Sequence, residues 1–141
     1  MMRLEHLNLV VNDIESSLNF YHAAFPHWQI RMQGESEWYG KPRRWLHFGD
    51  DTMYLSFSDD GEDSNRDLTG HQIGLAHIGF ETSNLDAMIK RLSDAGYEVA
   101  KPGAKHLYRK NAYYLDPAGF EVEFVEYLSD VPSERNAGDD L

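Results

Sequence analysis

The sequence predicts an α+β domain made of two βαβββ modules, whose strands form a curved mixed sheet around a cleft. Three observations carry this. A short motif recurs at half the chain length, a segment of helical periodicity follows each copy, and three strand-like runs follow each helix. At 141 residues the chain suits one compact domain, and is too short for two independent domains of ordinary size.

The repeated motif is HLNLVVND from His6 to Asp13 and HIGFETSN from His77 to Asn84, an offset of 71 positions. In the first copy Leu7, Leu9 and Val11 alternate with His6, Asn8 and Val10. In the second, Ile78 and Phe80 alternate with His77, Gly79 and Glu81. Both histidines therefore point away from the apolar face of their strand. Asn12 with Glu15, and Ser83 with Asp86, read as loose capping boxes that start two helices in register. The first helix carries Ile14, Leu18, Tyr21 and Phe25 at helical spacing. The second carries Leu85, Met88, Ile89 and Leu92, and Gly96 supplies a stop. Strand-like runs follow at 28–32, 44–48 and 52–57 in the first half and at 98–101, 109–115 and 120–127 in the second. Module one is thus expected over 3–58, an acidic linker over 59–73 and module two over 74–128. The polar residues 129–141 are expected to be a disordered acidic tail.

Composition excludes several classes of function. Thirteen basic against 24 acidic residues leave a formal charge of -11, which repels a phosphate backbone, so nucleic acid is not an expected partner. With no cysteine there is neither a disulfide nor a thiolate metal site, and any metal must rest on histidine and carboxylate. No apolar run approaches the roughly 18 residues that span a bilayer, and no signal-type apolar core opens the chain. The expectation is a soluble cytoplasmic protein without a membrane partner.

One helix per module covers one face of each strand set and leaves the other open, and His6 and His77 point to that open side. In the last strand Val122 and Phe124 alternate with Glu121, Glu123 and Val125, which puts Glu123 on the same side as the histidines. Two imidazoles and one carboxylate suit a single divalent metal such as Fe(II), Mn(II), Zn(II) or Ni(II), with positions left open for a substrate. His47 and Trp45 alternate with Leu46 and Phe48 and are weaker candidates for lining the cleft. Arg43, Arg44 and Arg109 are cations available to an anionic substrate group, although pairing with local carboxylates is the commoner fate of a surface arginine.

The pattern HLNLVVNDIESSLNFY, then LAHIGFETSNLDAMIKRLSDAGYEV, then YYLDPAGFEVEFVE resembles the vicinal oxygen chelate superfamily over residues 3 to 128. That superfamily includes glyoxalase I, bleomycin-resistance proteins and extradiol dioxygenases. The resemblance implies His6, His77 and Glu123 as the metal ligands, a small-molecule substrate, and a homodimer whose site is built within one chain or between two. Exposed Trp38 and Tyr39 and a long strand edge in the first half would suit such an interface, or a loop over the cleft.

Glyoxalase I-like members add a glutamate ligand on the last strand of the first module. Here that strand reads TMYLSF, Tyr54 takes the matching place, and a phenol is a poor substitute for that base. Extradiol dioxygenases use two histidines and one glutamate and share a signature that this chain approaches with His106, Tyr113, Asp116, Pro117, Gly119 and Glu123, departing from it at Ala104 and Ala112. In that likeness His106 is an acid/base and Tyr113 a hydrogen-bonding residue beside the metal. The resemblance thus implies a single-domain extradiol-type ring-cleavage dioxygenase with Fe(II). A glyoxalase I-like lyase or isomerase is the first alternative, and a non-catalytic antibiotic-binding protein the second.

Overall fold

Both helices start one residue later than the capping boxes suggest. The computed structural model describes residues 1–138, and in it α1 (Ile14–Ala24) is capped by Asp13 and α2 (Leu85–Asp94) by Asn84. Neither cap is helical: Asp13 is extended at φ -151° and ψ 113°, and Asn84 has φ -152° and ψ 90°. The Asp13 carboxylate accepts from the Ser16 amide at 3.2 Å, and the Asn84 carboxamide oxygen from the Ala87 amide at 3.0 Å. A second carboxylate meets each first turn: Ile14 donates to Asp59 at 3.2 Å and Leu85 to Glu126 at 2.8 Å. Negative charge there satisfies amides that have no partner within the helix. Asn84→Ala is expected to cost about 1 kcal/mol of stability in urea denaturation, whereas Ser83→Ala should be nearly silent.

Hydrogen bonding divides the strands into two four-stranded mixed sheets, one per module. In the first, β1 (His6–Val10) lies parallel to β4 (Tyr54–Ser58), followed by β3 (Lys41–Gly49) and β2 (Gln29–Trp38) in antiparallel order. In the second, β5 (Ile78–Glu81) lies parallel to β8 (Glu121–Tyr127), followed by β7 (Arg109–Leu115) and β6 (Lys101–Pro102). The two orders are the same. The chain divides between Ser64 and Asn65, inside the expected linker.

Several strand ends differ from expectation for local reasons. β2 runs on to Trp38 because a two-residue turn, Tyr39 and Gly40 with φ of 49° and 79°, folds residues 33–38 back onto β3. Two successive positive φ values make this a tight turn whose twist matches the flanking strands, and at Gly40 it is the positive φ, not lack of space, that favours glycine. β4 starts at Tyr54, since Thr52 and Met53 are held in a turn by the Asp50 carboxylate. β6 shrinks to two residues.

In the first unit Ile14, Phe20, Tyr21 and Ala24 of α1 are buried along with Leu46, Phe48, Leu55 and Phe57 of the sheet, and the Tyr21 and Phe57 rings lie 5.6 Å apart. In the second, Leu85, Met88 and Leu92 of α2 are buried along with Phe80, Ala112, Tyr114, Val122 and Phe124. Apolar burial on one side of every long central strand leaves its alternate residues on the other.

The expected disordered tail is corrected over residues 129–138. Proline at the first helical position opens a short turn, α3 (Pro132–Arg135). Ser129 Oγ donates to Glu134 at 2.6 Å and accepts from the Val131 amide, and Arg135 reaches Glu81 at 2.9 Å while lying 3.8 Å from the Tyr127 ring centre. These contacts offset the ordering cost that composition alone suggested would win. Residues 139–141 of the expected tail lie outside the described residues. No helix among the described residues is long and apolar enough to cross a membrane.

Candidate metal centre

In the second unit the parallel pairing of β5 with β8 sets Gly79 beside Glu123. His77, just before β5, turns its Nε2 to within 3.2 Å of Glu123 Oε2. Its Nδ1 lies 3.6 Å from Glu121 Oε2. The His77 side chain is 40% exposed and the two glutamates 18% and 19%, so the pair opens to solvent on one side. Asn111 of β7 donates its Nδ2 to Glu123 Oε1 at 2.9 Å and fixes the carboxylate from behind. A glycine at 103 makes room for this: a Cβ there would sit 1.7 Å from Asn111 Oδ1.

Tyr113 pairs with Glu123 across the β7–β8 ladder, and its ring meets His77 edge-on at 5.7 Å. Lys101 lies over that ring at 4.3 Å and reaches Glu121 at 3.0 Å. Burial, followed by the Glu123 charge, raises the Tyr113 pKa above the ordinary phenol value. At neutral pH this hydroxyl is a proton donor.

In the first unit His6 stands on the open face of β1, its side chain 45% exposed and its Nδ1 2.9 Å from Glu5. Its imidazole stacks on Tyr54, 4.8 Å away and 7° from parallel. His47 stacks on the same ring at 4.5 Å, and Trp45 follows at 5.1 Å from His47. His47 of β3 and Tyr54 of β4 share the sheet face opposite buried Leu46 and Leu55. Burial, with the nearby His6 charge second, lowers the His47 pKa.

The ladders also revise one comparison between the modules. His6 pairs with Tyr54 and Asn8 with Ser56, while Gly79, 71 positions beyond Asn8, pairs with Glu123. Ser56 is therefore the counterpart of Glu123, and Tyr54 that of Glu121. Ser56, like Tyr54, carries no carboxylate.

His106 and Arg109 have partners in the C-terminal segment. The His106 Nδ1 accepts from the Tyr108 amide at 3.0 Å, which leaves Nε2 to donate to the Gly138 carbonyl at 2.9 Å. Arg109 donates to the carbonyls of Arg135 and Ala137 at 3.3 and 3.1 Å. Asn111, Glu121 and Lys101 were missed as site residues. A signal for the first two was present: Asn111 alternates with buried Ala112 and Tyr114, and Glu121 shares the face of Glu123.

Imidazole and carboxylate are both ligands that borderline divalent metals accept, and the Asn111 bond is the kind of outer contact that orients a metal-binding carboxylate. His77 and Glu123 therefore fit a metal as two of its donors. Among the described residues no group of three or more His, Cys, Asp or Glu lies close enough to hold an ion alone.

Paired βαβββ modules, each with a histidine at the start of its first strand, and a glutamate on the last strand of the second module, define the vicinal oxygen chelate class. The profile of the Glyoxalase/Bleomycin resistance protein/Dioxygenase superfamily matches residues 3–124, and the chain belongs to that superfamily. No curated protein matches the sequence. Among solved structures, a glyoxylase/bleomycin resistance protein/dioxygenase domain from Frankia sp. EAN1pec is 17% identical with a TM-score of 0.73, covering 97% of this chain and 99% of that one. A glyoxalase family protein from Bacillus cereus is 12% identical with a TM-score of 0.74, covering 92% and 96%. A mutant of the fosfomycin resistance protein FosX from Listeria monocytogenes, complexed with Mn(II) and 1S,2S-dihydroxypropylphosphonic acid, is 16% identical with a TM-score of 0.71, covering 97% and 99%. At these identities the likeness is one of fold.

Proposed function

We propose that this protein is an enzyme that holds one divalent metal ion through His6, His77 and Glu123 and acts on a small molecule bearing two adjacent oxygens, with ring cleavage of a catechol by dioxygen as the reaction. The observation that carries this reading is the His77–Glu123 pair at 3.2 Å, open to solvent and braced by Asn111. His6, on the matching strand of the other module, is the third donor. The Mn(II) in the FosX structure supports a divalent ion in this fold. When bound, the metal supplies Lewis acidity to two substrate oxygens and, as Fe(II), a place for dioxygen.

The chain's own residues do the remainder. Asn111 holds the Glu123 carboxylate in one orientation, and Tyr113 offers a phenol proton to an oxygen that gains negative charge. His106 would serve as acid or base only after releasing the Gly138 carbonyl. A glyoxalase I-like reaction needs a further carboxylate in the first module, and Ser56 stands where it would be.

Anaerobic loading with Fe(II), followed by oxygen-electrode measurements over a panel of catechols, tests the reaction. One dioxygen consumed per catechol opened is expected, with little turnover of a hemithioacetal by the Ni(II) or Zn(II) form. No oxygen uptake across the panel would remove the ring-cleavage reading. Absence of stoichiometric metal would favour a binding protein.

A further inference from the structure

The register of β2 against β3 slips between Ile30 and Met32, so Arg31 is the extra residue of a β-bulge. Bulges re-aim the side chain they carry. This one directs the Arg31 guanidinium over the Tyr54 ring, 4.5 Å from its centre, while one N–H is fixed on the Asp50 carbonyl at 2.9 Å. Arg31 and His6 thus flank the same tyrosine ring.

The guanidinium of Arg31 keeps donors to spare on an exposed strand. Although the protein carries a formal charge of -11, Arg31 makes no ion pair among the described residues. Its neighbours on the sheet are engaged: Arg44 is bound to Glu15 at 2.6 Å, and Arg43 to Ser58. The Asp50 carboxylate is turned into its own loop, accepting from Thr52 and Met53. A guanidinium anchored through one donor keeps its other donors for an anion, with a bidentate fork suited to a carboxylate. Beside it, Tyr54, His47 and Trp45 form a continuous half-buried run of rings, whose exposed edges offer an aromatic body edge contacts rather than a free face.

We propose that Arg31 anchors an anionic group of the substrate, and that the preferred substrate class is an aromatic carboxylate bearing adjacent hydroxyls. The adjacent hydroxyls rest on the reading under Proposed function; the anion site does not.

The test uses the full chain loaded with redox-inert Zn(II), titrated with 3,4-dihydroxybenzoate, catechol and benzoate by calorimetry and NMR. Wild type is expected to bind the carboxylated catechol about tenfold more tightly than catechol, a preference that shrinks with added salt. Arg31→Gln should erase the preference and leave catechol affinity within about twofold, and Arg31→Lys should keep part of it. Because Arg31 lies on an exposed edge strand, both variants are expected to fold. A preference that persists in Arg31→Gln, or an equal loss for catechol and its acid, overturns the proposal. If catechol fails to bind while benzoate binds wild type and not Arg31→Gln, the anion site stands and the vicinal-oxygen reading falls. Failure of both carboxylates to bind wild type overturns the anion site.

Discussion

Replacing His77 with alanine is expected to strip the protein of metal: ion content after gel filtration should fall from about one equivalent per chain to near none, and turnover with it. Loss of an outer partner of a ligand commonly weakens metal binding about 10–100-fold, and loss of a ligand itself should do more. Asn111→Ala provides the graded comparison, because it leaves Glu123 in place and removes only its 2.9 Å brace. A fall of about 10–100-fold in Mn(II) affinity is expected for it, with Glu123→Gln behaving like His77→Ala. The His77 side chain is 40% exposed, so its removal should leave the folded circular dichroism spectrum unchanged. Retention of a full equivalent by His77→Ala would show that the ligand assignment is wrong.

The second large effect concerns stability. Phe124 is fully buried on β8, next in sequence to Glu123, with the Tyr114 ring at 5.7 Å and the Phe80 ring at 6.1 Å. Phe124→Ala removes most of a large side chain from a packed interior, and a loss of about 3–5 kcal/mol is expected from urea denaturation. Leu115→Ala, at a residue 52% exposed, should change stability by no more than about 0.5 kcal/mol. Similar losses for the two would mean that Phe124 is not part of a close-packed core.

Much of this fold is written in short-range patterns. β7 spans the expected residues, and the alternation of β1, β5 and β8 puts His6, His77 and Glu123 on the faces opposite Leu9, Phe80 and Phe124, because a half-buried strand needs period two. The same rule holds the clue to Asn111 and Glu121. What failed depends on partners rather than on periodicity. The length of β2 comes from a tight turn and an edge position where both faces meet solvent, so Gly34 to Glu37 carry no apolar signal. The counterpart of Glu123 in the first module required the actual pairing of Asn8 with Ser56, since a two-residue slip preserves the alternation and changes only the name. The Arg31 bulge is likewise a property of the ladder between β2 and β3. Order after Ser129 arises from Arg135 meeting Glu81 and His106 meeting Gly138, residues distant in sequence that composition does not connect.

Metal binding by His6, His77 and Glu123 is the proposal on which the functional reading rests. Elemental analysis of tag-free protein, loaded with Fe(II) or Mn(II) and then freed of unbound metal, tests it most directly. Wild type is expected to hold about one equivalent per chain, and each of His6→Ala, His77→Ala and Glu123→Gln near none. A wild type that retains no ion, or a His6→Ala protein that keeps a full equivalent, would contradict it.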